Sequence, residues 1–327
     1  MPLDHRCRLT TGEASAGPDR WHAAIAVLAI DQMAGEVCNA FRERGVPVAV
    51  LKGPVLAREL YDGDARRTYR DADLLVPSRC ESAAYAALRE LGFVPATGTG
   101  TTDPGVADEH QWFRGGFIVE LHVSLIGVKL HAAKVWDALE RHMVIGRIGG
   151  SEVLTLSRVG LAMHVALHAA QHGVAWTKGL DDLDRALARW PVETWRDAAA
   201  LAADLDASSA FEAGLRLRPR GAEIADRLDL RGAPDVATVL RVSSAPDAAF
   251  GLDRMLQLEG GLEKLGYLVR SAFPTPAFMR WWSPLAQHGP LGLAVAYLYR
   301  PIWLVVRAPA ALGGYVRARR EARSHEI

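Results

Sequence analysis

The sequence predicts an α+β protein, in which a small β-sheet with flanking helices is followed by a helical domain. Short β-rich runs alternate with helical segments as far as residue 156. From Ser157, a residue type favoured as a helix cap, apolar residues recur at helical spacing almost to the C-terminus. Half of the 327 residues are apolar, so the chain can form a sizeable core and about two domains.

The change of pattern near residue 157 marks the predicted domain boundary. We expect a disordered tail over 1–19, a sheet-containing domain over 20–156 and a helical domain over 157–327. The tail has no apolar stretch typical of a signal peptide. The chain's three cysteines, Cys7, Cys38 and Cys80, have no paired spacing, so they favour neither a disulfide framework nor a cysteine zinc site. We therefore predict a cytoplasmic protein.

The charge balance restricts the expected partners. Lys and Arg together number 38, as do Asp and Glu, so no bulk basic excess attracts a phosphate backbone. Long nucleic acid is therefore not an expected partner. Only 5 of the 38 cationic residues are Lys, so a Lys in a candidate site is more distinctive than an Arg.

Apolar runs, and the Gly and Pro residues that interrupt them, predict the secondary structure of the first half. A first helix is expected over residues 20–44, with one apolar stripe formed by Trp21, Ile25, Leu28, Val37 and Phe41. Lys52-Gly53-Pro54 separates a strand at 46–51 from a helix at 55–61. Further strands are expected at 71–76, 111–114, 117–125, 144–148 and 152–156, with hairpin turns at Gly115-Gly116 and Gly149-Gly150 and a flexible loop at 96–108.

Asp71-Ala72-Asp73 is the strongest chemical signal. Residues two apart on a strand face the same side, so the two carboxylates point together. Like charges that close repel one another unless a cation lies between them. A divalent metal, most plausibly Mg²⁺ with Mn²⁺ as the alternative, resolves the conflict. An isolated D-x-D at an exposed strand end is the competing interpretation.

Neighbouring features strengthen the metal hypothesis. The turn at Lys52-Gly53 opens a helix, whose first N–H groups suit an anion. Glu120 lies in a later strand and offers a third carboxylate, and His122 shares its face by the two-residue period. A solvent-facing Glu120 on an amphipathic strand is the alternative.

These motifs together resemble the bacterial family of uncharacterised nucleotidyltransferases, within the DNA polymerase β-like nucleotidyltransferase superfamily. The resemblance covers most of the chain from about residue 20. The motifs that carry it are LKGPVLARELY (51–61), Arg67, DADLLV (71–76), ELH (120–122), HVALHAAQHGVAW (164–176) and GLDDL (179–183). It implies a small mixed β-sheet nucleotidyltransferase core as the catalytic domain. It also implies transfer of a nucleoside monophosphate from an NTP to an acceptor, with a small-molecule or peptide hydroxyl favoured.

The resemblance also implies roles for individual residues. Asp71, Asp73 and Glu120 would be catalytic and would hold the metal of a two-metal site. The nucleotide's phosphates would meet Lys52, Gly53, Arg66 and Arg67. The superfamily usually has Gly-Ser where this chain has Lys52-Gly53. Arg70 also departs from the pattern: it would either serve the phosphates or pair with Asp71 and compete with metal, which would make the protein a degenerate nucleotide binder.

A histidine series follows on one helix face. His164, His168 and His172 are spaced i, i+4, i+8. Zinc binding is one interpretation and packing against the sheet is another. We favour a third, in which His122, His168, His172 and Asp182 border the cleft and contact nucleotide or acceptor. Trp176 would stack on a base or simply pack.

The C-terminal region is strongly apolar over residues 291–316. Arg300, Pro301 and Arg307 interrupt it, and Pro301 and Pro309 are expected to break a single helix. We expect a pair of apolar helices that pack on the protein. The alternative is a peripheral membrane protein that uses 291–316 as a surface anchor.

Overall fold

The computed structural model of the chain describes residues 18–62, 67–96 and 109–324. The predictions for the N-terminal tail, except its last two residues, for most of the loop at 96–108 and for Arg66 lie outside this part. Seven strands form one sheet in the order β3-β4-β5-β2-β1-β7-β6. Their bounds are β1 Ala49–Val50, β2 Asp71–Leu75, β3 Val94–Pro95, β4 Glu109–Arg114, β5 Phe117–His122, β6 Met143–Ile148 and β7 Ser151–Leu156.

The sheet is mixed, as predicted. Strand β2 pairs parallel with β5 and antiparallel with β1, and β1 pairs parallel with β7. Both predicted hairpins are confirmed, because β4 and β5 join at Gly115-Gly116 and β6 and β7 at Gly149-Gly150. Strand β1 is shorter than the predicted 46–51.

Fourteen α-helices surround and follow the sheet in the described residues. They are α1 Pro18–Glu43, α2 Pro54–Leu60, α3 Glu81–Glu90, α4 Ala132–Glu140, α5 Arg158–His172, α6 Thr177–Arg189, α7 Val192–Asp204, α8 Ser208–Leu215, α9 Pro219–Arg227, α10 Val236–Val242, α11 Asp247–Gln257, α12 Gly261–Ala272, α13 Pro276–Trp282 and α14 Gly289–Ser324. The α+β class is therefore confirmed, with the helices concentrated after residue 157.

Both faces of the sheet are buried. Leu74 and Val50 pack with helix α1, whereas Leu75 and Ala49 pack with helices α5–α9. This alternation follows from the two-residue period of a strand. The helices after residue 157 thus share a hydrophobic core with the strands. The boundary predicted at residue 157 marks a change in sequence pattern, and the regions on its two sides pack together.

The apolar stripe predicted for α1 is buried only in its second half. Val37 and Phe41 are fully buried against the sheet, whereas Trp21, Ile25 and Leu28 are exposed. The spacing gives the face of a helix, but it does not show where the neighbouring layer ends.

The predicted pair of C-terminal helices is wrong, because α14 is one helix of 36 residues with Pro301 and Pro309 inside it. A proline removes one backbone hydrogen bond and crowds the preceding turn. Helix α14 nevertheless continues through both prolines and packs against α10 and α11.

Two further differences concern helices. Helices α11 and α12 are separated near Gly260, a break that the continuous helical spacing after residue 157 does not indicate. Helix α4 was not predicted at all, although Val135, Trp136 and Leu139 form a buried stripe at helical spacing.

Close packing of α5 on α8 generates a stability prediction. A Cβ atom at Gly214 would lie 2.0 Å from the carbonyl oxygen of Ala166. Gly214→Ala should lower the free energy of unfolding by about 1–3 kcal/mol, since the backbones must separate. Gly313→Ala on α14 is the matched control, because a Cβ there meets nothing within 4 Å. It should stabilise the helix by about 0.5–1 kcal/mol. Urea unfolding of both variants checks this, and equal stabilities would contradict the packing.

Candidate active site

The centre of the candidate site is built by two parallel strands. Asp73 on β2 is the register partner of Glu120 on β5, and Asp71 lies two residues before it on the same face of β2. His122 lies two residues after Glu120. Glu120 therefore stands on the strand next to the one that carries the D-x-D motif.

Asp73, Glu120 and His122 form a compact group of ligand atoms. One such atom from each lies within 4.8 Å of the others. Asp73 is 1% exposed, and Gln111 Nε2 donates a hydrogen bond to Glu120 Oε1 at 2.8 Å. Asp71 shares the face of Asp73, but its carboxylate is outside this group. The sequence grouped Asp71, Asp73 and Glu120, whereas the side chains bring His122 closer to Asp73 and Glu120.

Lys52 is the nearest cation to this group. Its Nζ lies 2.8 Å from Asp73 Oδ1, and His122 Nε2 lies 3.4 Å from the same oxygen. Burial disfavours both charges, but they stabilise one another. Despite its burial, Asp73 therefore has a pKa well below the usual range, since Lys52 and His122 face it. Burial opposes the charge of Lys52 as well, yet Asp73 and Glu120 raise its pKa. Lys52 thus contacts a carboxylate in this structure, where a phosphate contact was predicted.

Asp71 experiences the like charge that the sequence predicted. Burial, and after it the charge of Asp73, raise the pKa of Asp71. Lys52 and Lys178 oppose that shift. Lys178, in the first turn of α6, is a site residue that the sequence interpretation missed. Burial and the charge of Arg67 lower the pKa of Lys178. The rarity of lysine was the signal in the sequence that could have identified Lys178, because the chain has only five lysines.

The turn after Lys52 requires glycine. Gly53 has φ 67° and ψ −108°, and it precedes Pro54, the first residue of α2. A side chain at Gly53 would contact the ring of Tyr69 at 3.4 Å and would be strained at that φ. Tyr69 is itself held by a 2.5 Å hydrogen bond that its hydroxyl donates to Asp31 Oδ1. The turn is thus fixed beside the acidic group.

Arg67 and Asp182, both predicted site residues, bind each other. The Arg67 guanidinium donates from Nε and Nη2 to both Asp182 oxygens at 2.8–3.0 Å. The Tyr61 hydroxyl donates to Asp182 Oδ1 at 2.6 Å. Arg67 is 6% exposed and Asp182 1% exposed. Arg67 was expected to meet the nucleotide's phosphates, whereas here it binds Asp182, and the buried pair joins the segment before β2 to helix α6.

Arg70 does not close the site through Asp71. Its side chain is exposed, and among the described residues no ion pair joins it to Asp71. The hypothesis that this pair competes with metal is therefore wrong for this structure. Arg66, the neighbouring predicted phosphate ligand, lies outside the described residues.

The predicted histidine face forms a row of rings. The ring centroids of His164 and His168 are 6.1 Å apart, those of His168 and His172 are 4.6 Å apart, and Trp176 stacks on His172 at 5.2 Å. Burial, then the charge of Lys52, lower the pKa of His164 to about 3 and that of His168 well below its usual range. These two rings are therefore neutral near pH 7. Among the described residues no three-ligand group includes them, so zinc binding has no support from the geometry.

The residues around Asp73 fit a divalent cation. Neither buried oxygen of Asp73 accepts a hydrogen bond of normal geometry, although Lys52 and His122 are close. Two carboxylates and an imidazole supply the oxygen and nitrogen ligands that such cations accept. The donor set and the unsatisfied oxygens thus agree with the metal hypothesis.

Comparison with known proteins gives one family match. Residues 21–220 match the family described as uncharacterised nucleotidyltransferase. No curated protein matches the chain.

Three solved structures are distantly similar. The solution structure of the antibiotic-resistance factor ANT(2″)-Ia is 16% identical over 56% of this chain and 94% of that one, with a TM-score of 0.40. The crystal structure of ANT(2″)-Ia in complex with adenylyl-2″-tobramycin is 17% identical over 57% and 99%, with a TM-score of 0.36. An antigenic nucleotidyltransferase-like protein from Paracoccidioides brasiliensis is 16% identical over 56% and 92%, with a TM-score of 0.33.

The Arg67–Asp182 pair predicts a strong dependence of stability on both partners. Arg67→Met or Asp182→Asn alone should lower the free energy of unfolding by about 3–5 kcal/mol, because each leaves a buried group uncompensated. The double variant should lose less than the sum of the two. Arg231→Met, which breaks an exposed pair with Asp229, is the control and should cost at most about 1 kcal/mol. Additive losses in the double variant would contradict direct pairing.

The Lys52–Asp73 pair predicts a compensating substitution. Lys52→Met should lower the melting temperature, since it removes the nearest cation from a buried carboxylate. Adding Asp73→Asn should recover part of that loss, because the uncompensated charge is then gone. Lys129→Met, at a half-exposed pair with Asp235, should change little. A Lys52→Met variant as stable as the original chain would show that the pair contributes nothing.

Proposed function

The chain belongs to the family of uncharacterised nucleotidyltransferases, and on that premise we propose that it transfers a nucleoside monophosphate from an NTP to an acceptor hydroxyl in a metal-dependent reaction. One observation carries the proposal. Asp73, Glu120 and His122 present their ligand atoms together at the junction of two parallel strands, and the buried Asp73 Oδ2 has no hydrogen bond beside the Lys52 contact of Oδ1. A purely structural carboxylate at this depth would normally be hydrogen-bonded.

Asp73 and Glu120, with Asp71 beside them, are the residues that would hold the metal, for which we propose Mg²⁺ with Mn²⁺ as the alternative. In a two-metal site, such ions activate the acceptor hydroxyl and stabilise the leaving pyrophosphate. The chain's own part is to keep these carboxylates ionised and fixed. Lys52 supports ionisation of Asp73, and Gln111 orients Glu120 through its hydrogen bond.

We propose that the triphosphate lies against the cations beside this group. Lys52 and Lys178 are both close enough to the acidic residues to affect the pKa of Asp71. Gly53 lets the backbone approach the phosphates without a side chain. Arg67 is occupied by Asp182, so its contribution is to position α6 and Lys178, and the exposed Arg70 remains available for direct phosphate contact.

The acceptor is proposed to be a small molecule or a peptide bearing a hydroxyl. His172 and Trp176, both partly exposed, stack at the end of α5 beside the buried His168, and flat ring surfaces of this kind suit a base or a sugar ring. The balanced net charge gives no support to a long nucleic acid. The free Cys38 and Cys80 agree with a proposed cytoplasmic location.

A second candidate function is favoured by the Lys52–Asp73 contact. The ammonium group already neutralises the carboxylate that would bind metal. A degenerate member of the family would keep this pair and bind nucleotide without turnover. Such a protein would bind an NTP with the same affinity whether or not Mg²⁺ is present.

Label transfer is the direct test of the enzymatic proposal. The chain is incubated with each α-labelled NTP, Mg²⁺ and a host-cell extract that supplies acceptors. We expect Mg²⁺-dependent labelling of an acceptor, which Asp73→Asn and Asp71→Asn abolish because they remove the metal's carboxylates. Asp137→Asn, at an exposed surface aspartate, is the matched control and should leave transfer intact. Normal transfer by Asp73→Asn would show that the site is assigned wrongly.

If no label is transferred to an acceptor, a calorimetric titration distinguishes the enzyme from the degenerate binder. An NTP analogue that cannot be hydrolysed is titrated into the chain with Mg²⁺ and with EDTA. Affinity that depends on Mg²⁺ supports the enzyme, whereas equal affinity under both conditions supports the degenerate binder.

A further inference from the structure

Helix α14 carries a long apolar stripe that no element among the described residues covers. Its members are 36–79% exposed and follow one another at alternating steps of four and three residues, with Pro309 in the series: Leu291, Val295, Leu298, Ile302, Val305, Leu312 and Val316. That spacing puts them on one side of the helix, over a length of about 38 Å. A monomeric soluble protein rarely exposes a continuous apolar stripe of this length.

The opposite side of α14 is attached to the protein. Ala296, Arg300, Ala311, Tyr315 and Ala318 are buried, and α14 packs against α10, α11, α12 and α13. By length and composition α14 could cross a membrane, and so could Trp21–Glu43, half of which is buried in the protein. A helix with one side fixed to a folded protein is suited to lie along a surface.

Arg300 does not interrupt the exposed stripe. Its guanidinium lies over the rings of Phe278 and Trp282, at 4.8 and 4.7 Å, and Nε donates to the Ser271 carbonyl at 2.7 Å. These contacts tie α14 to α12 and α13. The Arg300 charge, which interrupts the apolar sequence, therefore faces the protein and not the exposed side of α14.

Charge is distributed unevenly around the stripe. Residues 261–324 contain nine Lys or Arg against two Asp or Glu, although the whole chain has no net charge. The exposed arginines of this region are Arg270, Arg280, Arg307, Arg317, Arg319, Arg320 and Arg323. Elsewhere many arginines pair with carboxylates, but none of these seven forms an ion pair within the described part of the chain. Arg317, Arg319, Arg320 and Arg323 lie at the C-terminal end of the stripe on α14, and unpaired basic residues beside an apolar stripe complement an anionic lipid surface.

We propose that the exposed stripe of α14 lies on the surface of an anionic lipid bilayer, with its apolar residues among the acyl chains and the arginines at the headgroups. A second copy of the chain is the competing occupant, because the spacing also resembles a coiled-coil seam. Two such basic helices would repel one another, whereas anionic lipid supplies the missing counter-charge.

Vesicle sedimentation with the full chain tests the proposal. The chain should sediment with vesicles of phosphatidylcholine and phosphatidylglycerol, and much less with phosphatidylcholine alone, and salt should weaken the binding. Ile302→Glu should reduce the partition coefficient by about tenfold or more, because it removes an exposed side chain that would enter the lipid and adds a repelled charge. Ile145→Glu, at an exposed isoleucine on β6, is the matched control and should bind like the original chain.

A second pair of variants tests the electrostatic part. Arg317→Glu with Arg320→Glu should abolish the preference for anionic vesicles, whereas Arg220→Glu with Arg227→Glu on α9 should preserve it. Failure of the original chain to sediment with anionic vesicles overturns the proposal, and so does unchanged binding by Ile302→Glu. A dimer in size-exclusion chromatography that Ile302→Glu converts to monomer would assign the stripe to a second copy instead.

Discussion

The buried charge at the centre of the sheet is the constraint on which the rest of the structure depends. Strands β2 and β5 bring Asp71, Asp73 and Glu120 to one region of the sheet, where water cannot screen them as it does at a surface. Such a group is stable only when cations come to it. Lys52 arrives from the end of β1 and Lys178 from the start of α6, and the His122 imidazole on β5 lies beside Asp73. Helix α6 carries Lys178, and helix α2 begins directly after Lys52-Gly53, so these two helices fix the positions of both lysines.

The Arg67–Asp182 pair extends the same principle outward. Arg67 lies four residues before β2, and its guanidinium would add another positive charge near Lys52 and Lys178. Asp182 neutralises it through a two-oxygen contact, and Tyr61 donates to the same carboxylate. Arg67 still opposes the charge of Lys178, but Asp182 offsets part of that repulsion, and the pair fixes α6 against the segment before β2. The same contact thus positions α6 and offsets the charge of Arg67.

Much of the sheet was predictable because its signals are local. The D-x-D strand, both glycine hairpins and the helix that begins after Ser157 depend on residues within a few positions of one another. The contacts of Lys52, Arg67 and Lys178 were not predictable in this way, since their partners are distant in the chain. The exposure of Trp21 and the continuity of α14 through Pro301 and Pro309 likewise depend on what packs beside each helix. Spacing identifies a face, whereas only tertiary structure identifies its neighbour.

The pairing of β1 with β7 affects folding during synthesis as well as the arrangement of the finished sheet. Residue 49 pairs with residue 154, and Arg67 finds its carboxylate 115 residues later. During synthesis at about 5–20 residues per second, the first half of the chain would wait on the order of ten seconds for these partners. Through that interval Arg67 has no native counter-ion, and the edge of β1 that will receive β7 has no partner strand. The nascent sheet therefore presents an open edge, which can pair with another chain, until β7 has emerged, and Arg67 lacks its counter-ion until helix α6 has followed.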